Sequence, residues 1–394
     1  MQLLNKVIST DTNGKYLYNW KYIEKIPEFA ALKDKQQNPK WHGEGDAWEH
    51  TKKVCEYALT IVNSDDDVYD LNGYWKEILL ASCLFHDIGK GVSSFQGKDG
   101  RWHSYGHEET GEKITRRLLW DDHEREREKI CSLVRWHMEP IAAMESKAPL
   151  ERIVFLSKRV PSIKMLYLVK LCDMKGSIME ERGDLLVTMS KLSLFKDFAS
   201  TMKIFDSDNH MLMTVPKLRE QFNRVSDKRK VVTVFLMIGL PGAGKDTWIS
   251  KYSSLDNVEV ITRDDIRAEM GLCKPGEKIV ASHDDEERVT EECNKRILSA
   301  AKNGKLIILN GINLKRKYRD AYKKLLSNYL VNWVYVYVET DSLQTNLDRR
   351  NGQISREVFE NMIANFEWPD YDEYDTLKVV LNGCDERLNH DYNS

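Results

Sequence analysis

The sequence predicts two domains, an all-α domain followed by an α/β domain built on a central parallel sheet. Its 394 residues exceed what one hydrophobic core usually organises, and a hydrophobic content of 41% supplies a core for each half. Up to about residue 226, apolar residues recur at the helical spacings of three and four. Beyond that point, short apolar runs alternate with helical stretches, which is the pattern of a parallel sheet with crossover helices.

The first half contains helical periodicity and no convincing strand alternation. That periodicity predicts helices over residues 48–62, 75–85, 108–120, 125–136 and 163–172. A polar run at 226–230 then ends the helical pattern. We therefore expect a first domain over residues 1–226, with a helical extension, and a second over 227–394.

The second half opens on an apolar run, 231–238, that is typical of a buried parallel strand. The same pattern predicts further strands at 258–261, 306–309, 333–338 and 377–381, and helices at 286–301 and 318–330. The polar segment 341–356 interrupts this alternation, and we expect it to be a lid.

Bulk composition limits the class of protein. The formal net charge is −3 with both signs interspersed, so nucleic-acid binding would have to be local rather than a property of the whole surface. Seven cysteines without a CxxC pair indicate free buried thiols in a reducing cytosol. No apolar run is long enough to span a bilayer, so we expect a cytoplasmic protein without a membrane partner.

Metal-ligand side chains recur at the ends of the predicted helices of the first half. The predicted ligands are His50, His86, Asp87, His107, His137 and Asp173. Imidazole with carboxylate suits one or two divalent transition ions of the Mn2+, Ni2+, Co2+ or Zn2+ class, and a carboxylate such as Asp87 can bridge two of them. Three other histidines, His42, His103 and His123, are expected to be ordinary core or surface residues.

The order of these ligands resembles the HD phosphohydrolase superfamily over residues 38–180. The segments WHGEGD, just before WEHT at His50, and YGHEE at His107 look like those of the HD domain attached to bacterial tRNA nucleotidyltransferases. That resemblance implies hydrolysis of 2′,3′-cyclic phosphates or phosphomonoesters. It also implies one ion on His50, His86, Asp87 and Asp173, a second on Asp87, His107 and His137, and a substrate phosphate on Lys90.

A glycine-rich segment follows the first strand of the second half and opens a helix, as a P-loop requires. The residues predicted to hold the phosphates are Gly239, Pro241, Gly242, Ala243, Gly244, Lys245, Asp246 and Thr247. Their backbone N–H groups can converge on phosphate, and Lys245 can bridge the β- and γ-phosphates. We therefore expect ATP, or another nucleoside triphosphate, with Mg2+. Asp246 stands where a P-loop usually has Ser or Thr, which leaves the Mg2+ ligands open.

The segment RDDIR, 263–267, comes directly after the second strand, whose carboxyl end shares a sheet edge with the P-loop. A carboxylate there can take the proton of an acceptor hydroxyl. The alternative is that Asp264 and Asp265 cap a short helix, and we expect that role for Asp265. At the end of the third strand we expect Gly311 where an acidic residue is usual.

The pairing of GxPGxGK with RDDxxR resembles the phage polynucleotide kinase family over residues 231–365. The resemblance implies transfer of the γ-phosphate to a 5′-hydroxyl end. It also implies that Asp264 is the general base, that Arg267 contacts a phosphate of the acceptor strand, and that Arg349 or Arg350 is a lid arginine. Basic clusters at 228–230 and 315–319 either follow a sugar-phosphate backbone or form solvated faces.

The order of the two domains resembles the bacterial HD-Pnk family of bifunctional end-healing enzymes. That resemblance implies RNA end repair, with nucleic-acid ends as substrates, RNA favoured over DNA, and a separate RNA ligase as a partner. Two alternatives stay open. One is nucleotide metabolism, with a nucleotide phosphohydrolase joined to a small-metabolite kinase. The other is a catalytically degenerate nucleotide-binding regulator, which Asp246 and Gly311 would suit.

Overall fold

The computed structural model describes residues 2–206, 231–253, 255–272 and 282–387. Its contacts divide the chain into two compact units, Met1–Leu212 and Met213–Ser394. The boundary expected at residue 226 lies outside the described residues, as do the basic cluster 228–230 and Cys273. Each unit has its own core.

The first unit is helical, with two short antiparallel hairpins. Its helices are α1 (Leu4–Val7), α2 (Trp20–Ile23), α3 (Pro27–Ala30), α4 (Ala47–Val62), α5 (Gly73–Phe85), α6 (Lys90–Ser93), α7 (His107–Leu118), α8 (Glu124–Trp136), α9 (Glu139–Glu145), α10 (Pro149–Ser157), α11 (Ile163–Gly176) and α12 (Arg182–Thr201). Its strands are β1 (Ile8–Thr10), β2 (Tyr16–Tyr18), β3 (Phe95–Gln96) and β4 (Trp102–His103), paired as β1–β2 and β3–β4. Helices α4, α5 and α11 pack against one another around the apolar core.

Side-chain caps explain where these three central helices begin. Asp46 accepts a hydrogen bond from the backbone of Glu49 at the start of α4. Asn72 and Ser162 cap α5 and α11 in the same way. The all-α prediction for the first half is confirmed. The two hairpins were not predicted, because strands of two or three residues are too short to show alternation.

The second unit has a six-stranded sheet in the order β10-β9-β8-β5-β7-β6. The strands are β5 (Val231–Ile238), β6 (Val258–Thr262), β7 (Leu306–Asn310), β8 (Leu330–Glu339), β9 (Thr376–Leu381) and β10 (Asp385–Arg387). The helices are α13 (Lys245–Ile249), α14 (Arg263–Glu269), α15 (His283–Lys302), α16 (Arg316–Leu325), α17 (Leu343–Arg349) and α18 (Arg356–Ala364). Strands β5 to β9 pair in parallel, as predicted, and β10 is antiparallel to β9.

One predicted helix is too long. The sequence pattern extends a helix to residue 330, whereas α16 ends at Leu325 and Leu330 begins β8. Leu330 pairs with Val231 in the central strand, so the apolar residues that completed the helical pattern belong to the sheet. Strand pairing here outweighs local periodicity.

The basic cluster 315–319 is partly structural. Arg319 is fully buried and forms a bidentate ion pair with Glu373, with Nε to Oε2 at 2.7 Å and Nη2 to Oε1 at 3.0 Å. Arg316 pairs with Asp370 and also lies near Asp372. Arg319 is therefore part of the core, so neither of the two alternatives for this cluster describes it, whereas the side chain of Arg316 is 35% exposed and both alternatives stay open for it.

Within the described residues, none of the helices is long and apolar enough to cross a membrane. Five free cysteines there are buried and Cys384 is exposed. Trp248 is fully buried against Phe235 and Tyr252, so its ring is not available to a base. Trp333 belongs to the core.

Candidate active sites

In the first unit, the predicted metal ligands His50, His86 and Asp87 lie close to Asp173, which belongs to a helix much later in the chain. His50 lies in α4, His86 ends α5, and Asp173 lies in α11. The Nε2 atom of His50 lies 3.1 Å from Oδ1 of Asp173 and 3.3 Å from Nε2 of His86. Oδ2 of Asp87 lies 3.4 Å from the same His50 atom and 3.2 Å from the His86 atom. These four side chains form the first half of the cluster.

The second half of the cluster lies on the other oxygen of Asp87. Oδ1 of Asp87 lies 3.2 Å from Nε2 of His107 and 3.8 Å from Nε2 of His137. The two imidazole Nε2 atoms are 3.3 Å apart. Asp87 therefore has one oxygen in each half, so it can bridge two cations. All six predicted ligands lie in one buried cluster.

Hydrogen bonds on the outer side of the rings make this cluster suitable for metal. The Nδ1 atoms of His86, His107 and His137 each lie 2.8 Å from a backbone carbonyl, of Cys83, Ser104 and Val134 respectively. A carbonyl only accepts, so each Nδ1 carries a proton and each ring turns its Nε2 atom into the cluster. Imidazole nitrogens and carboxylate oxygens that converge in this way are the donors that divalent transition ions bind. The donor set therefore fits divalent metal.

Two buried lysines keep the carboxylates of the cluster ionised. Burial opposes the charge on Asp87, but His86 and Lys90 keep its pKa well below the usual range. Burial likewise opposes the charge on Asp173. Its pKa nevertheless lies well below the usual range, and Lys170 is the neighbour that lowers it most. Nζ of Lys90 lies 2.6 Å from Asp87 Oδ2, and Nζ of Lys170 lies 2.6 Å from Asp173 Oδ2. Lys170 was not predicted from the sequence.

Glu44 is a second site residue that sequence reasoning missed. Its buried carboxylate lies 2.6 Å from Nδ1 of His50 and 2.9 Å from Nδ1 of His42, and it accepts a 2.7 Å hydrogen bond from the backbone N–H of Ile178. Burial opposes a charge on His50, yet hydrogen bonds with Asp173 and Glu44 raise its pKa to about 9. Metal binding at His50 must then release a proton. The only sequence signal for Glu44 was its place in the segment HGEGD, in which no role was predicted for this glutamate.

In the second unit, the P-loop joins β5 to α13 at the carboxyl edge of the sheet. Nζ of Lys245 donates to the carbonyls of Gly239 and Leu240, both at 2.9 Å. Burial lowers the pKa of Lys245 to about 8; Asp246 opposes this shift and Arg350 adds to it. Gly244 has a φ of 102°, which requires glycine at the start of the helix. These features suit a loop that wraps phosphate.

Asp246 meets the end of the third strand of the unit through Asn310, not through Gly311. Strand β7 ends at Asn310, whose Nδ2 donates to Oδ1 of Asp246 at 2.8 Å. The prediction that Gly311 stands at the end of this strand is wrong by one residue. Exposed oxygen donors at this edge are the Asp246 carboxylate and the Thr247 hydroxyl, and oxygen ligands are what Mg2+ prefers. The residues present therefore fit Mg2+.

The residues predicted to contact the phosphoryl acceptor lie in the first turns of α14. The helix begins at Arg263 with Thr262 at its N-cap, so Asp265 is not the cap, contrary to prediction. The side chain of Asp264 is 72% exposed and accepts from Nη1 of Arg267 at 2.5 Å. Arg267 also forms a bidentate pair with Glu286, at 2.7 and 2.9 Å. Glu286 lies outside both sequence motifs of this unit and was not predicted as a site residue.

The segment expected to be a lid contains α17, which contacts the P-loop. Nδ2 of Asn346 donates to the carbonyl of Pro241 at 3.0 Å, and Nη1 of Arg349 donates to that of Gly242 at 3.0 Å. Arg349 and Arg350 both line the cleft above the P-loop. The cleft has a volume of about 2410 Å3. Its charged lining comprises Lys245, Arg263, Arg267, Lys315, Lys324, Arg349 and Arg350 against Asp246, Asp264 and Asp265.

Comparisons with known proteins divide the chain in the same way. A family model for the HD domain matches residues 47–161, and a family model for an AAA domain matches residues 234–369. The chain joins an HD phosphohydrolase domain to a P-loop kinase-like domain. An HD domain implies a divalent metal, and a P-loop kinase domain implies a nucleotide with Mg2+.

Individual relatives resemble parts of the chain. The multifunctional CCA protein of Pasteurella multocida is 34% identical over 94 residues, which are 24% of this chain and 20% of that protein. The thermosensitive gluconokinase of Escherichia coli is 24% identical over 149 residues, 38% of this chain and 79% of its own. The probable gluconokinase of Schizosaccharomyces pombe is 24% identical over 159 residues, which are 39% of this chain and 82% of that protein. The chain thus spans about a fifth of the CCA protein and most of each gluconokinase.

Among solved structures, a sugar kinase from Janibacter is similar at 17% identity, covering 39% of this chain and 86% of that one, with a TM-score of 0.29. A gluconokinase from Sinorhizobium meliloti has 16% identity, covers 39% and 85%, and has the same TM-score of 0.29.

Proposed function

We propose that this protein heals nucleic-acid ends, with RNA favoured over DNA. In this proposal the second unit phosphorylates 5′-hydroxyl ends, and the first hydrolyses 2′,3′-cyclic phosphate and 3′-phosphate ends to 3′-hydroxyl. Many breaks in RNA leave a 2′,3′-cyclic phosphate and a 5′-hydroxyl, so one chain would repair both sides of one break. A separate RNA ligase would then seal the healed ends.

The cleft of the second unit is the observation that carries the proposal. Its volume of about 2410 Å3 exceeds the roughly 300–1,000 Å3 of an ordinary small-molecule pocket. Space therefore remains beside a nucleoside triphosphate for several nucleotides of an acceptor strand. The excess of cations along its lining favours a polyanion over a small neutral or singly charged acceptor.

The kinase step follows from the residues of that cleft. Asp264 is exposed and would accept the proton of the 5′-hydroxyl, while Arg267 orients its carboxylate. Lys245 would neutralise the β- and γ-phosphates during in-line transfer. Arg349 donates to the P-loop carbonyl of Gly242 and would stabilise the transferring group. Mg2+ held near Asp246 and Thr247 would neutralise phosphate charge.

The phosphohydrolase step uses the buried cluster of the first unit. Divalent ions held by the histidines and aspartates would supply Lewis acidity toward the phosphoester. Lys90 sits at the edge of the cluster with its ammonium between Asp87 and the side-chain oxygen of Gln37, 2.7 Å away. A phosphate oxygen that replaces Gln37 as its acceptor would be held against the metals. Lys90 thus binds and orients substrate.

The proposal is tested with an oligoribonucleotide that has a 5′-hydroxyl and a 2′,3′-cyclic phosphate, incubated with ATP, Mg2+ and Mn2+. We expect mass spectrometry to show a 5′-phosphate and a 3′-hydroxyl. Lys245→Ala or Asp264→Ala should lose only the 5′ reaction, and Asp87→Ala only the 3′ reaction. Unchanged ends with metal bound to the protein would overturn the proposal.

The gluconokinase relatives favour a second candidate, in which the second unit phosphorylates a small metabolite and the first hydrolyses a free nucleotide. The two candidates differ in the acceptor. A kcat/KM at least tenfold higher for gluconate or another polyol than for a 5′-hydroxyl oligonucleotide would establish this candidate and exclude the first. Tight ATP binding without turnover of either acceptor would instead indicate a nucleotide-binding regulator.

A further inference from the structure

The hairpin β3–β4 lies between two residues of the phosphohydrolase cluster. The helix that begins at Lys90 leads into it, and His107 follows it as the first residue of α7. Its base is tied by the Oγ atoms of Ser94 and Ser104, which are 2.8 Å apart. The carbonyl of Ser104 also accepts the 2.8 Å hydrogen bond from Nδ1 of His107. The hairpin is therefore coupled to a candidate metal ligand.

One face of this hairpin carries three aromatic rings. Phe95 pairs with His103 across the strands, and Tyr105 lies two residues beyond on the same side. His103 and Tyr105 are stacked, with centroids 5.0 Å apart and planes inclined by 20°, and Phe95 lies 5.8 and 5.9 Å from these two rings. Tyr105 is 73% exposed and Phe95 is 47% exposed. Phe95 and Tyr105 are thus exposed beside the partly buried ring of His103, and we call these three rings the aromatic face.

Single exposed apolar residues are ordinary, but the aromatic face combines three rings with a position beside the reacting centre. Tyr105 and His107 are two residues apart, so their Cα atoms lie within roughly 7 Å of each other. A ring at that range from the cluster is within reach of the base of a nucleotide whose phosphate lies on the metals. Nε2 of His103 is 3.2 Å from Oδ1 of Asp99, which restrains the middle ring.

We propose that the aromatic face is a stacking subsite for the terminal nucleobase of the phosphohydrolase substrate. This inference rests on the proposed function of the first unit and names the group that the unit recognises beside the phosphate. Every base has a π-face, so stacking would select nucleotides over other phosphoesters without selecting a sequence. Free nucleoside 3′-phosphates and strand ends share this chemistry.

The test compares substrates with and without a terminal base. Steady-state hydrolysis is measured on adenosine 3′-phosphate, on an oligonucleotide with a terminal 3′-phosphate, and on the same oligonucleotide whose last residue is an abasic tetrahydrofuran. We expect Tyr105→Ala to raise KM about tenfold for the two base-bearing substrates, the size expected for one lost stack, and to leave kcat and the abasic substrate unchanged. Tyr105→Phe should behave as the unchanged protein.

Two further variants complete the comparison. Phe95→Ala should raise KM in the same selective way, and Val68→Ala, an exposed apolar residue away from the hairpin, should change nothing. An equal effect of Tyr105→Ala on abasic and base-bearing ends, or no effect, would overturn the inference. An effect on adenosine 3′-phosphate alone would mean that the subsite serves free nucleotides, and an effect on both would extend it to strand ends.

A binding measurement separates this inference from the proposed function. Adenosine 3′-phosphorothioate, a slowly hydrolysed analogue, is titrated calorimetrically into the Mn2+-loaded protein and into Tyr105→Ala. If the unchanged protein hydrolyses no 3′ end, the proposed function of the first unit fails. In that case a tenfold weaker Kd in Tyr105→Ala still supports the subsite, and an equal or unmeasurable Kd in both proteins overturns it.

Discussion

Glu44 shows how one residue outside the predicted ligand set can control a metal site. Its carboxylate contacts Nδ1 of both His42 and His50, so it fixes the ring of a candidate ligand from the outer side. Such outer partners set the orientation and basicity of a ligating histidine. Of the candidate ligands, Glu44 contacts His50, so its effect on metal binding should pass through that ring.

We expect Glu44→Gln to weaken divalent-metal binding by about 10- to 100-fold, because the amide orients His50 less strongly than the carboxylate. Competition with a chromogenic chelator measures the affinity for Mn2+ or Zn2+. Glu49→Gln, on the exposed face of the same helix, is the matched control and should bind metal normally. An unaltered affinity in Glu44→Gln would show that His50 is positioned by other contacts.

At the scale of elements, the turn after α5 is fitted closely against α7. A Cβ atom at Gly89 would lie 2.0 Å from the carbonyl oxygen of His107 and 2.6 Å from the backbone nitrogen of Gly111. Both contacts are with backbone, which cannot rotate away. Glycine is required here because two ligand-bearing segments meet, not because of an unusual φ.

Gly89→Ala should therefore push α7 away and separate His107 from Asp87. We expect the half of the site formed by Asp87, His107 and His137 to lose at least tenfold in metal affinity, while the half on His50 retains its ion. Metal stoichiometry measured after equilibrium dialysis distinguishes the two. Gly183→Ala, where a Cβ meets nothing within 4 Å, is the control. Two tightly bound ions in Gly89→Ala would contradict the expectation.

A buried ion pair joins α16 to the segment before β9. Glu373→Gln leaves Arg319 charged and fully buried, with an uncharged amide and the backbone carbonyls of Asn313, Leu314 and Glu367 as its remaining acceptors. We therefore expect about 3–5 kcal/mol of destabilisation in the second unit. Hydrogen exchange read by mass spectrometry should show faster exchange in peptides of β8 and β9, with the first unit unaffected. Glu360→Gln, whose pair with Arg356 is exposed, should cost little. Equal exchange in both variants would show that Arg319 is held by its carbonyl contacts.

The sequence was informative where a signal is local and periodic. The long helices, the five parallel strands and the P-loop follow from spacing and apolar runs, and all six candidate metal ligands that the structure brings together were named in advance. Residues that act through distant partners gave no such signal. The carboxylate of Glu44 is held by the backbone N–H of Ile178, which is 134 residues away in the chain. The predicted end of the third strand differed by one residue from Asn310, because the last residue of a strand depends on pairing with its neighbour.

At the scale of the whole molecule, the chain joins two units that carry separate chemistries. The metal cluster lies wholly within Met1–Leu212, and the nucleotide cleft wholly within Met213–Ser394. Each unit has its own core. If each site functions with only the residues of its own unit, then a chain that has lost one site should keep the other at full activity.

Mixing two singly inactivated proteins tests that independence. Asp87→Ala should phosphorylate 5′ ends and leave cyclic phosphates intact, and Asp264→Ala should do the reverse. An equal mixture should heal both ends at about half the rate of the unchanged protein at the same total concentration, because half of the molecules carry each intact site. The two end products are followed by mass on one doubly unhealed oligonucleotide. If the mixture heals both ends on the same strand far more slowly than this, the two sites would have to act on a strand within a single molecule, and joining them in one chain would serve catalysis itself.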